Sequence, residues 1–119
     1  MTDDITAALQ TDRTIDITTI GRRSGEARRL EIWLHNLEGR IFITGLPGRR
    51  SWYANLLAHP KFTFHLKESV VADLEAIARP VTGPEEKRGI LEVLLGRLGY
   101  RDRIDAWMTA SPLVEVTFV

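Results

Sequence analysis

Apolar and polar residues alternate over residues 14–20, with Ile15 and Ile17 on one side, a period of two that predicts a half-buried strand. The alternation resumes over residues 28–37, where Leu30, Ile32 and Leu34 mark one face and Arg29, Glu31, Trp33 and His35 the other. GRRSG, residues 21–25, separates the two runs, and its glycines can take the positive φ of a hairpin loop. Glu38-Gly39 predicts a second turn and residues 40–44 a third strand. KFTFHLK, residues 61–67, has the cleanest alternation: Phe62, Phe64 and Leu66 point inward, and Lys61, Thr63, His65 and Lys67 point outward, His65 into solvent. A tight turn at Glu68-Ser69 leads to a strand over 70–81, and a last strand over 113–119 carries Val114, Val116 and Phe118 on one face.

Helical spacing appears elsewhere. Residues 3–10 predict a short helix, and Ser51 predicts the N-cap of another that Pro60 stops after His59. From Pro84 onward, Ile90, Leu91, Leu94, Leu95 and Leu98 form a stripe that Gly99 ends, and a short helix follows over 102–108. Six strands, mostly in sequential hairpins with helices inserted, predict an α+β domain spanning residues 1–119: a small, mainly β antiparallel barrel with helices packed outside.

Charge sharpens the picture. Lys and Arg total 16 against 16 for Asp and Glu, so no global field draws the chain to nucleic acid or an anionic membrane. Locally the balance fails. Residues 21–50 hold seven arginines (22, 23, 28, 29, 40, 49, 50) against three acids, which predicts a confined anion site. The chain has no cysteine, which excludes disulfides, thiolate ligands and a cysteine nucleophile. The opening MTDDITAALQ lacks the order of a signal peptide, and no apolar run nears the ~20 residues of a membrane span, so a cytoplasmic protein is expected.

The basic residues fall on loops suited to anions. Arginine presents a planar, permanently charged fork to phosphate, Ser24 adds a hydroxyl, and glycine-flanked loops let backbone N–H groups converge. Arg49-Arg50 forms a second basic loop at the predicted N-terminus of a helix, itself a favourable place for negative charge. Two such loops at neighbouring strand ends would grip one phosphorylated ligand; the alternative is a solvated hairpin. His35, His59 and His65 are too scattered for a metal, and none is expected. Ser24, Ser51, Ser69 and Ser111 lack a nucleophile's context, whereas a bound cofactor can carry chemistry the side chains do not. Of Trp52 and Tyr53 at least one belongs to the core; Tyr100 and Trp107 are core or an aromatic lip over a flat ring.

TTIGRRSGEARRLEIWL, then IFITGLPGRRSWYANLLAHPKFTFHLK, VTGPEEKRGILEVL and GYRDRIDAWMTASPLVEVTF, resembles the deazaflavin-dependent nitroreductase and quinone reductase family from about residue 13 to the C-terminus. The pairing of a TGR[KR][ST]G-like hairpin with a W-Y-x-N-L helix carries the likeness. The resemblance implies a split β-barrel, shared with flavin-dependent pyridoxamine-phosphate-oxidase-like proteins. It also implies coenzyme F420, whose lactyl phosphate and polyglutamate tail are anionic, with FMN as the alternative ligand. On matching positions Arg22, Arg23, Ser24, Gly25 and Arg28 would hold the anionic tail, Ile32 would pack near the deazaflavin ring, and Thr44 and Gly45 would lie along its edge. Trp52 and Asn55 match the family helix as mainly structural members, and Arg49 and Arg50 would replace the lysine of a longer family loop. Hydride would pass to a quinone, enone or nitroaromatic, with Tyr100 donating a hydrogen bond or proton, in a homodimer. The rival is a non-catalytic binder of the cofactor or of a lipid. Ala27 and Glu31 stand where the family often has proline, and Glu31 is expected to pair with Arg29.

Overall fold

The strands β1 (Thr14–Ile20), β2 (Ala27–Trp33), β3 (His35–Leu37), β4 (Arg40–Thr44), β5 (Lys61–Leu66), β6 (Ala72–Pro80) and β7 (Leu113–Phe118) form one antiparallel sheet in the order β2-β1-β5-β6-β7-β4-β3. This computed structural model describes all 119 residues. The two edge strands, β2 and β3, are consecutive in the chain and separated only by Leu34. The sheet therefore curls until its edges meet at one residue, giving the expected split barrel.

That corner changes the strand count from six to seven. The alternation through Leu30, Ile32 and Leu34 continues without a break in the sequence, but the backbone does not. Leu34 N–H donates to the Arg13 carbonyl at 2.8 Å, and its side chain, 4% exposed, turns into the barrel. The residues before it pair with β1 and those after it with β4.

Inward-facing Ile15, Ile17, Ile41, Ile43, Phe62, Phe64, Leu66, Val114 and Val116 fill the barrel. Helix α1 (Asp3–Thr11), N-capped by Thr2 Oγ1, contributes Ala8 and Leu9, and α2 (Ser51–Ala58) contributes Trp52 and Leu56. A second core lies outside the sheet. Phe42, on the opposite face of β4 from Ile41 and Ile43, meets Ile90, Leu91, Leu94 and Leu95 of α3 (Pro84–Leu98) and Trp107 of α4 (Ile104–Ala110). The predicted apolar stripe is thus core from Ile90 to Leu95, whereas Leu98 at its end is half-buried and outside the cluster. Gly99, at φ 81°, ends α3 where a side chain would be strained. No helix is long and apolar enough to cross a membrane.

Three local expectations are corrected. His65 is 6% exposed rather than open to solvent. It lies between Thr18 Oγ1 and Asp73 Oδ1, each 2.7 Å from a ring nitrogen, so neighbouring polar side chains bury it on the outer face of the sheet. Glu31 pairs with Lys67 instead of Arg29, because Arg29 is taken by Asp16 at 2.9 Å. Ser51 is the first residue of α2 rather than its cap; the N-cap is Arg50, which makes no side-chain capping bond.

α3 is also held by charge. Glu115 on β7 accepts from Arg40 Nε at 2.8 Å and from Arg79 at 2.8 Å, and Arg79 bonds both oxygens of Glu86 at the start of α3. The Arg40 hydrogen bonds and then those of Arg79 hold the Glu115 carboxyl down at about 2, below its ordinary 4.5. A depressed carboxyl stabilises the fold above its unfolded pKa and loses that contribution as pH falls toward the folded value. Glu115→Gln is expected to lower unfolding free energy by about 2 kcal/mol at pH 7. The difference should shrink between pH 4.5 and about 2, checked by urea unfolding across that range.

Candidate functional site

The turn after β1 is built around its glycines. Gly25 takes φ 71°, Gly21 N–H donates to Glu26 O at 2.8 Å, and Gly25 N–H donates to Gly21 O at 2.9 Å. A Cβ on Gly21 would lie 2.4 Å from Ser24 Oγ, so glycine lets Ser24 fold over the turn and accept from Glu26 N–H at 3.1 Å. Arg22 and Arg23 are left exposed at the tip.

Facing this hairpin, the first turn of α2 and the Arg49-Arg50 loop complete an open cleft of about 860 Å³. Six arginines line it (22, 23, 28, 29, 49 and 50), with no carboxylate residue among the lining. The first-turn N–H groups of any helix lack intrahelical partners, and no side chain caps those of α2, so its positive end adds to the field. The arginines are not equivalent. Arg28 pairs with Glu26 at 3.3 Å and Arg29 with Asp16, whereas Arg22, Arg23 and Arg49 have no ion-pair partner. Arg50 bends back onto its own loop, donating to the Leu46 and Arg49 carbonyls at 2.9 Å each. It pins a loop whose Gly48 sits at φ 134° and whose Gly48 N–H reaches Ala110 O at 3.0 Å. Arg50→Ala is therefore expected to loosen residues 45–50, read as faster amide exchange of Gly48.

Asn55 joins the two sides. Its Oδ1 accepts from Arg22 N–H at 3.0 Å and its Nδ2 donates to Thr19 Oγ1 at 3.1 Å. The structure thus brings together Arg22, Arg23, Ser24, Arg28, Arg49, Arg50, Trp52 and Asn55. Gly25, Ile32, Thr44, Gly45 and Tyr100 lie outside the lining. Ile32 is half-buried two residues beyond Leu30, which does line the cleft. Thr44 spends its hydroxyl on Pro112 O at 2.6 Å. A Cβ on Gly45 would stand 3.4 Å from Arg50 Nε and 3.8 Å from Trp52, so glycine keeps that wall close. Tyr100 stacks on Trp107 with centroids 6.3 Å apart. Tyr53 and Leu57, one helical turn apart on α2, line the cleft without having been expected there; their i, i+4 spacing is the signal that could have found them.

The sequence matches the model of the F420H(2)-dependent quinone reductase family over residues 2–116. No curated protein matches it. Among solved structures, the chain is similar to conserved hypothetical protein Rv2991 from Mycobacterium tuberculosis at 19% identity and a TM-score of 0.78, covering 99% of this chain and 81% of that one. It is also similar to F420-H2 dependent reductase FDR-A, at 20% identity and a TM-score of 0.64, covering 89% of this chain and 95% of that one. A domain-swapped dimer matches at 20% identity with a TM-score of 0.63, covering 89% of this chain and 81% of that one. These likenesses show the fold; the family model covers nearly the whole chain. The anionic phosphate and carboxylates of F420 suit a cleft walled by guanidinium groups and free of carboxylates. The chain belongs to the F420H(2)-dependent quinone reductase family, an F420H2-dependent reductase whose cofactor is coenzyme F420.

Proposed function

We propose that the protein reduces a small electron-poor acceptor, a quinone, enone or nitroaromatic, in the cleft between the 21–25 hairpin and α2. The observation that carries the reading is the unpaired state of Arg22, Arg23 and Arg49 beside an uncapped helix start. These three arginines would hold the anionic tail of the cofactor, with Ser24 and Arg28 at the rim. Leu30, Tyr53 and Leu57 supply apolar wall against which a flat ring can lie, displacing water from it. When bound, the reduced deazaflavin supplies the hydride. The chain's own contribution is binding, orientation and drying of the cleft, since no acid–base pair lines it. Tyr100, outside the cleft, takes no part in this reading. Pairing into a homodimer belongs to the same proposal, supported by the dimeric relative of similar fold, and light scattering tests it.

Purified protein mixed with reduced F420 and menadione should return oxidised F420 absorbance. Binding without oxidation would instead support a non-catalytic carrier. Titration should give micromolar or tighter F420 affinity, on the order of −8 kcal/mol. FMN binding as tight as F420 binding would count against the cofactor assignment.

A further inference from the structure

One buried side chain ties the two halves of the cleft to each other by hydrogen bonds. Asn55 is 8% exposed and is anchored in the middle of α2. Its two hydrogen bonds bracket Ile20 and Gly21: one to Thr19, fully buried at the end of β1, and one to the backbone N–H of Arg22, the first arginine of the hairpin. A carboxamide offers an acceptor and a donor in one plane, which is what this bracket uses. The hairpin's remaining backbone bonds, Gly21 to Glu26 and Gly25 to Gly21, close it on itself and tie it to nothing on α2. No other hydrogen bond in the structure joins residues 21–25 to α2.

We infer that Asn55 is a positioning residue: by fixing the Arg22 backbone to α2 it sets the affinity of the cleft for the anionic part of its ligand without donating to that ligand. This rests on the reading that the cleft takes F420. Its physical basis is ordering. Guanidinium groups carried on a tethered backbone lose less freedom when an anion arrives than those on a free loop, and binding is weakened by whatever ordering remains to be done. The positive end of α2 and the arginine tip also act on one anion only while their separation is held. Asn55 therefore acts through Arg22 and Arg23.

The test uses wild type, Asn55→Ala, Asn55→Asp, Arg23→Ala and the Asn55→Ala/Arg23→Ala double variant. In ligand-free protein, the Arg22 amide should exchange at least about tenfold faster in Asn55→Ala while the Ile15 and Ile17 amides stay protected. Asn55→Asp should restore protection, because its carboxylate accepts from Arg22 N–H and from the Thr19 hydroxyl. Affinities are read with F420 and, separately, with inorganic pyrophosphate. Asn55→Ala should weaken both about tenfold, and Arg23→Ala should cost less in the Asn55→Ala background than alone. Additive losses, or an unchanged Arg22 amide, overturn the inference; a merely structural asparagine would lower thermal stability without coupling to Arg23. Wild type that binds pyrophosphate but not F420 overturns the cofactor reading, and the coupling on pyrophosphate still decides the role of Asn55. Wild type that binds neither overturns both. Should Asn55→Ala not fold, Thr19→Val removes half of the bracket and is judged by the same exchange and coupling.

Discussion

Arg23→Ala is expected to weaken F420 binding by about 10- to 100-fold, roughly 1.5–3 kcal/mol. Arg23 stands at the exposed tip of the hairpin with no carboxylate partner, so its charge is available to a ligand without breaking an existing pair. Arg28 makes the contrast. It already pairs with Glu26, and an anion must compete for it, so Arg28→Ala should cost less. Fluorescence titration at several salt concentrations checks both. The Arg23→Ala protein should also show a shallower fall of affinity with salt, because one fewer charge meets the ligand. Equal affinity in wild type and Arg23→Ala would remove the hairpin from the binding site.

Phe42→Ala should lower the free energy of unfolding by about 3–5 kcal/mol. Phe42 is fully buried on the outer face of β4, where it fills the space between the sheet and α3. Truncation leaves a cavity bordered by Leu91, Leu94 and Leu95, carried on a long helix that can collapse only by shifting as a whole. Domain stabilities are commonly ~5–15 kcal/mol, so the loss is a large share of the total. Urea denaturation followed by tryptophan fluorescence reads it directly, since Trp107 lies in the same cluster. Val93→Ala, on the exposed side of α3, is the control and should change stability by less than about 0.5 kcal/mol.

Much of this architecture is legible where one local rule acts alone. The stripe at 90, 91, 94 and 95, the Gly99 stop and the alternation of Phe62, Phe64 and Leu66 all match the structure. Where two rules compete, the sequence misleads. Leu34 keeps the strand period while its backbone turns a corner, because an inward apolar residue satisfies both arrangements. His65 sits at an outward position, yet Thr18 and Asp73 cover it; alternation gives the direction of a side chain and says nothing of what its neighbours bury. The basic character of the site was readable from arginine spacing. The division of labour among those arginines was not, because Arg50 is turned away by carbonyls of its own short loop and Arg29 by a carboxylate thirteen residues back. The Asn55 bracket has no local signature at all, since its partners lie 33 and 36 positions earlier.

The place of β7 has a consequence for biosynthesis. Residues 113–118 lie between β6 and β4, so they supply an interior strand and not an edge. On a ribosome, a nascent chain that has emerged only as far as α4 can form the β1–β2 and β5–β6 hairpins, but β4 and β6 still face each other across a missing strand. Both would present unpaired backbone and apolar inner faces until residue 113 and its successors arrive, which makes that interval the one in which a chaperone would be most needed.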